Sequence, residues 1–222
     1  MLSKHTEARL LQAGFPPKRL RRIVPALPAL DALSKAERTR ERVALGLDPD
    51  KALVIYAGDL EFGGGAELCL AACQDMDVQL VMACRSKTPR AAEVEAQLRR
   101  RGNATWVGET PRIHALLGCA DAVLLPGTSL YAKMDYPLVI LEAMSMGQPV
   151  VVGAGTPAEE LVEGGAIISE PSVQGVRASI TAALSGGAAL GERGAAYVRE
   201  RFAAGHVANQ YEALYDEVLG ER

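Results

Sequence analysis

A chain of 222 residues, 49% hydrophobic and 23% charged, has the length and balance of one large α/β domain with appendages. Its formal net charge of −3 gives no global attraction to polyanions, and an aromatic content of 5% argues against a stacking platform for nucleic acid.

The first 22 residues read as helical, with Ser3 as N-cap and Gly14-Phe-Pro-Pro as a break. The basic run Lys18-Arg-Leu-Arg-Arg22 is read as a solvated face rather than a lipid or phosphate site. Residues 23–30 are proline-punctuated and extended, as in a linker. A short charged helix over 34–45 closes at Gly46. From there strands and helices alternate. Apolar strands are predicted at 53–57, 78–83, 105–107, 122–125, 150–152 and 166–168, and helices at 65–74, 89–101, 112–119, 137–146, 172–184 and 189–219. Near-continuous apolar strands separated by amphipathic helices predict a Rossmann-like, doubly wound parallel sheet covered on both faces. Gly58, Gly108 and Pro126 end three of these strands and so place the following loops at one edge, where ligands bind in such folds.

Cys69, Cys73, Cys84 and Cys119 follow no metal-ligand spacing and are expected to be buried free thiols. The chain opens on no signal peptide, and no apolar run approaches the roughly 20 residues that span a bilayer. A cytoplasmic location is expected, with at most peripheral contact at the inner face of a membrane.

The tract Lys133-Met-Asp-Tyr-Pro-Leu-Val-Ile-Leu-Glu142-Ala-Met-Ser-Met-Gly147-Gln-Pro-Val150 is the most informative. A polar loop carrying a lysine leads through a proline into a helix, and backbone N–H groups at a helix start favour an anion. Gly63, Gly64 and Gly65 form a second loop whose N–H groups would approach an anion closely.

Five stretches resemble the C-terminal domain of GT-B glycosyltransferases, specifically the retaining family four. They are Ser3-Lys-His-Thr6-Glu-Ala-Arg-Leu10 with Pro16-Pro-Lys-Arg-Leu-Arg-Arg-Ile-Val-Pro25, then Arg40-Glu-Arg-Val-Ala-Leu-Gly-Leu47 with Tyr56-Ala-Gly58, and the 138–150 tract. The resemblance implies that 1–33 holds the last helix of an N-terminal domain and its linker. It makes 34–190 a nucleotide-sugar donor domain and 191–222 a C-terminal helix packing on it or crossing out of it. Glu142 would hydrogen-bond the ribose hydroxyls, Leu138 and Val139 would face the diphosphate, and Gly108 and Glu109 would lie at the base. The implied ligand is a UDP- or GDP-sugar. No metal or other cofactor is implied, and the acceptor would be held by an N-terminal domain, in this chain or a partner.

The departures fall on the chemistry. The family's donor-sugar glutamate, eight residues before Glu142, is Met134 here, with Asp135 beside it as a candidate substitute. The family's phosphate-neutralising arginine and lysine after the first strand are replaced by Asp59 and by Phe62-Gly-Gly-Gly65. Losing both removes stabilisation worth several kcal/mol to phosphate departure. Lys133 is the first candidate replacement, and Arg85 and Lys87 the next. His5, His114 and His206 are read as structural or exposed rather than catalytic. Two functions therefore stay open: the donor half of a transferase, or a degenerate half serving as a nucleotide-sugar-binding or interaction module.

Overall fold

The computed structural model describes residues 2–102, 104–129 and 134–220. Among these residues six strands, β1 (Leu53–Asp59), β2 (Gln79–Arg85), β3 (Thr105–Trp106), β4 (Ala122–Leu125), β5 (Val150–Gly153) and β6 (Ile167–Ser169), form one sheet in the order β3-β2-β1-β4-β5-β6. Every neighbouring pair is parallel. Every residue of β1, β4 and β5 is buried, because a parallel sheet is covered on both faces and its strands need no polar side. The order reverses between β1 and β4, and that reversal opens a crevice outside the carboxyl ends of the strands. β1 pairs with β2 as far as Asp59 and Arg85, whereas its pairing with β4 stops at Tyr56 and Leu124. The last residues of β1 therefore project along the crevice.

Among the described residues, eight α-helices accompany the sheet: α1 (Lys4–Gln12), α2 (Lys35–Ala44), α3 (Gly65–Cys73), α4 (Ala91–Arg99), α5 (Ile113–Gly118), α6 (Leu138–Ser145), α7 (Val173–Arg201) and α8 (Ala204–Gly220). The predicted starts hold where a cap is written into the sequence. Ser3 caps α1 through Thr6, and Ser34 with Glu37 forms a complete capping box on α2. The four cysteines are free and buried. Burial pushes the Cys73 thiol up to about 11 and the Cys84 thiol to about 12, which keeps both as thiols.

The C-terminal third differs from the sequence expectation. The predicted helix over 189–219 is two helices, broken at the buried Phe202. Leu27 N–H donates to Phe202 O at 2.7 Å and the linker bridges to Ala203, while the Phe202 ring stands edge-on to Tyr136. The expected break between residues 184 and 189 is present as a kink inside α7 at Gly187, with φ 33° and ψ −120°. A 3-10 helix at Pro157–Gly164 has no counterpart in the expected elements. Gly147 ends α6 with φ 76°, as its C-terminal position predicts. A Cβ on Gly191 of α7 would stand 2.0 Å from Gly147 O, so this crossing is backbone against backbone. No helix among the described residues is long and apolar enough to cross a membrane.

At the amino edge of the sheet, the charged α2 hides one of its arginines. The buried Arg42 guanidinium donates to Cys119 O at 2.9 and 2.7 Å, to Pro49 O and Lys51 O at 3.1 Å, and to Asp121 Oδ2 at 2.8 Å. The same Asp121 oxygen accepts from Leu53 N–H at 2.7 Å, and Arg38 donates to its other oxygen at 2.7 Å. One side chain thereby joins α2, the end of α5 and the beginnings of β1 and β4.

Candidate functional site

The crevice holds a cavity of about 680 Å³. Ala57 and Gly58 of β1 and Ala83 of β2 lie at its base, residues 108–111 with Ile113 form one side, and Met134 with residues 137–139 form the other. Each side follows from local chemistry. Gly108 has φ 60°, a left-handed turn at the end of the third strand segment that glycine takes without steric cost. Pro137 precedes α6 in an extended conformation, and no side chain caps that helix. Ile140 N–H and Leu141 N–H bond back to Pro137 O, so the N–H groups of Leu138 and Val139 lie ahead of the internal ladder. They form the positive end of the α6 dipole against the cavity.

Charged groups ring this opening. Arg85 and Glu109 face each other across it with Nε and Oε1 3.5 Å apart, both well exposed, and such a pair adds little by itself. Lys87 is more enclosed and pairs with Asp59, Nζ to Oδ2 3.1 Å. Glu142 stands one turn along α6 from Leu138, with Oε1 3.3 Å from His114 Nε2 of α5. Burial favours protonation of Glu61, but bonds from Thr88 and Lys87 outweigh it and hold this carboxyl below its ordinary range.

Of the residues selected from sequence, Leu138, Val139, Gly108, Glu109, Arg85 and Lys87 converge on the cavity. Glu142 lies one helical turn behind them, outside the lining. Asp135 is also outside it. Its Oδ2 accepts a bond of 2.6 Å from Ser3 Oγ, the hydroxyl that also caps α1. Next to it, Tyr136 donates to Glu160 at 2.8 Å. Burial first, then that bond and the Glu160 charge, raises the Tyr136 hydroxyl far above its ordinary range. The segment leading into α6 is thus moored to the N-terminal helix and to the 157–164 helix. Ser3→Ala is expected to cost about 1 kcal/mol through the lost cap and the lost Asp135 bond. Urea denaturation checks this, and an unchanged midpoint would show that the mooring contributes nothing.

Gly63 and Gly64 do not line the cavity. Gly63 O accepts from Thr128 N–H at 3.0 Å, and a Cβ on Gly63 would meet Ser129 O at 2.9 Å. Gly64, with φ 66°, occupies the N-cap position of α3. Their backbone freedom serves the packing of two loops and a helix start. Lys133 lies outside the described residues. Sequence reasoning overlooked two features: His114 beside Glu142, and the pairing of Asp59 with Lys87. Each joins residues 28 positions apart on different elements, and no periodicity or motif signals such a meeting. Among the described residues, no three His, Cys, Asp or Glu side chains group as metal ligands.

The family model for glycosyl transferases group 1 matches residues 37–201. Among solved structures, Anabaena HepE in complex with UDP and glucose superposes with a TM-score of 0.84 at 20% identity, over 96% of this chain and 61% of its own. Sucrose-phosphate synthase from Thermosynechococcus elongatus gives 0.83 at 22% identity, over 100% of this chain and 58% of its own. A glycosyltransferase from Rickettsia africae gives 0.82 at 15%, over 98% and 62%. At these identities the likeness is one of fold, and this chain spans between 58% and 62% of the three proteins' lengths. Among curated proteins none matches.

Proposed function

The chain belongs to the glycosyl transferases group 1 family, and from that premise we propose that it binds the nucleotide-sugar donor of a sugar transfer to a glycan or lipid acceptor. The observation that carries this reading is the convergence on one cavity of the α6 start, the Gly108 loop and cationic side chains. A UDP- or GDP-sugar would lay its base against residues 108–111, its ribose towards Glu142 and its diphosphate at Leu138 and Val139. The complexes of Anabaena HepE with UDP and with UDP-glucose support a nucleotide-sugar over a dinucleotide.

The chemistry required of this half is modest. It must hold the donor and stabilise negative charge as the sugar–phosphate bond breaks, through the helix dipole and protein cations rather than a metal. The acceptor would be held by an N-terminal domain, in the same or a partner chain, at the inner face of a membrane where the acceptor is a lipid. The compared structures are longer than this chain, which leaves room for such a domain.

Calorimetric titration of the whole chain with UDP and with GDP tests the reading. Saturable one-site binding of either is expected, and absence of binding by both would sink it. A second reading, a degenerate half that binds the nucleotide without transfer, is favoured by Met134 at the expected donor-sugar position, where it lines the cavity. It predicts binding without release of nucleoside diphosphate from any donor sugar, even when an acceptor domain is supplied.

A further inference from the structure

We infer that Lys87, held by Asp59, is the cation that meets the ligand's diphosphate in this chain. The inference rests on the nucleotide-sugar reading and adds to it a residue from a different strand than the resemblance implies. After β1 the resemblance calls for a cation, and the chain has Asp59, which is buried. An isolated carboxylate there would repel a diphosphate at the α6 start. It is not isolated, because Lys87 Nζ lies 3.1 Å from its Oδ2, and the lysine side chain is itself only 13% exposed. The anion on β1 thus recruits a cation from the loop after β2.

Two further observations make Lys87 a built feature of the cavity. First, its backbone is fixed. The Glu61 carboxylate accepts from Lys87 N–H at 3.3 Å, from Thr88 N–H at 2.8 Å and from the Thr88 hydroxyl at 3.0 Å. A loop clamped by its own backbone amides presents its side chain from one direction. Second, Lys87 lines the same cavity as Gly58 and Leu138, between the end of β1 and the positive end of α6. An ammonium acts as a point charge without the planar geometry that a guanidinium requires. A partly enclosed charge is also screened less than an exposed one, which places Lys87 ahead of Arg85, whose side chain is 67% exposed. Asp59 is on this account a positioning residue: it keeps the enclosed lysine aimed.

The test compares a diphosphate with its nucleoside. The whole chain is titrated with UDP and uridine, or with GDP and guanosine if the wild type prefers guanine. Lys87→Met is expected to weaken diphosphate binding roughly tenfold or more and to leave nucleoside binding unchanged. Lys87→Arg should retain most of the diphosphate affinity. Because Lys87→Met leaves Asp59 buried and without that lysine, the double variant Asp59→Asn/Lys87→Met removes both charges and should fold while showing the same selective loss. Equal weakening of nucleoside and diphosphate, or no weakening in the double variant, overturns the inference while the donor reading stands. A wild-type chain that binds neither nucleotide overturns the donor reading itself.

Discussion

Arg42→Met is expected to lower the unfolding free energy by about 3 kcal/mol and the melting temperature by roughly 6–12 °C for a domain of this size. The methionine fills much of the volume but donates nothing. Cys119 O, Pro49 O and Lys51 O all lose the guanidinium, and a buried carbonyl left without a donor costs far more than an exposed one. Asp121 suffers less, since Arg38 and Leu53 N–H still reach it and its side chain is 30% exposed. Arg38→Met is the control. It removes a half-buried donor from the same aspartate and from Ala120 O, against three carbonyls for Arg42, and should cost about 1–2 kcal/mol. Equal melting curves for the two variants would show that Arg42 is one more surface arginine of α2. Nucleotide binding should survive in both at low temperature, because this hub lies at the opposite edge of the sheet from the cavity.

Glu142→Ala is expected to weaken UDP or GDP binding by about 10- to 150-fold, the loss of charge-assisted bonds worth about 1.5–3 kcal/mol. The carboxylate is largely enclosed, with 19% of its side chain exposed, so hydroxyls bonding to it would be shielded from water. His114 already touches one of its oxygens, so His114→Ala should change affinity by much less than loss of the carboxylate. The comparison that identifies the contact is UDP against 2′- and 3′-deoxy-UDP. In the wild type, removal of the hydroxyl that Glu142 holds lowers affinity, and in Glu142→Ala that discrimination disappears. Undiminished discrimination in the variant would place the ribose elsewhere.

The 138–150 tract was legible because its roles are local. A helix start, a carboxylate one turn on, a C-terminal glycine and a buried strand are all set by residues within hydrogen-bonding range along the chain. Leu138, Val139, Gly108 and Glu109 were legible for a related reason. In an alternating parallel fold the loop after each strand must reach the carboxyl edge. Asp135 was selected by adjacency to Met134, and adjacency along an extended loop does not say which way a side chain turns. It turns to Ser3, 132 positions away. Gly63 and Gly64 suit an anion loop by their backbone freedom, and the same freedom serves a close approach of Ser129 and Thr128 at Gly63 and a left-handed helix cap at Gly64. The break at Phe202 escaped the periodicity because that ring packs on Tyr136 and its carbonyl pairs with the linker.

By itself the sequence determined the doubly wound class, the alternation of strands and helices and which loops gather at the carboxyl edge, since apolar periodicity, caps and strand-ending glycines act over a few residues. Only the tertiary structure decided how charge is arranged around that edge. Asp59 reads in the sequence as a lost cation and Arg42 draws no reading of its own, because the partner of each lies far from it along the chain. Ion pairs form between whatever side chains the fold brings within a few ångströms. Because their partners lie far apart in sequence, Asp59 meets Lys87 and Arg42 meets Asp121 only once the sheet has closed.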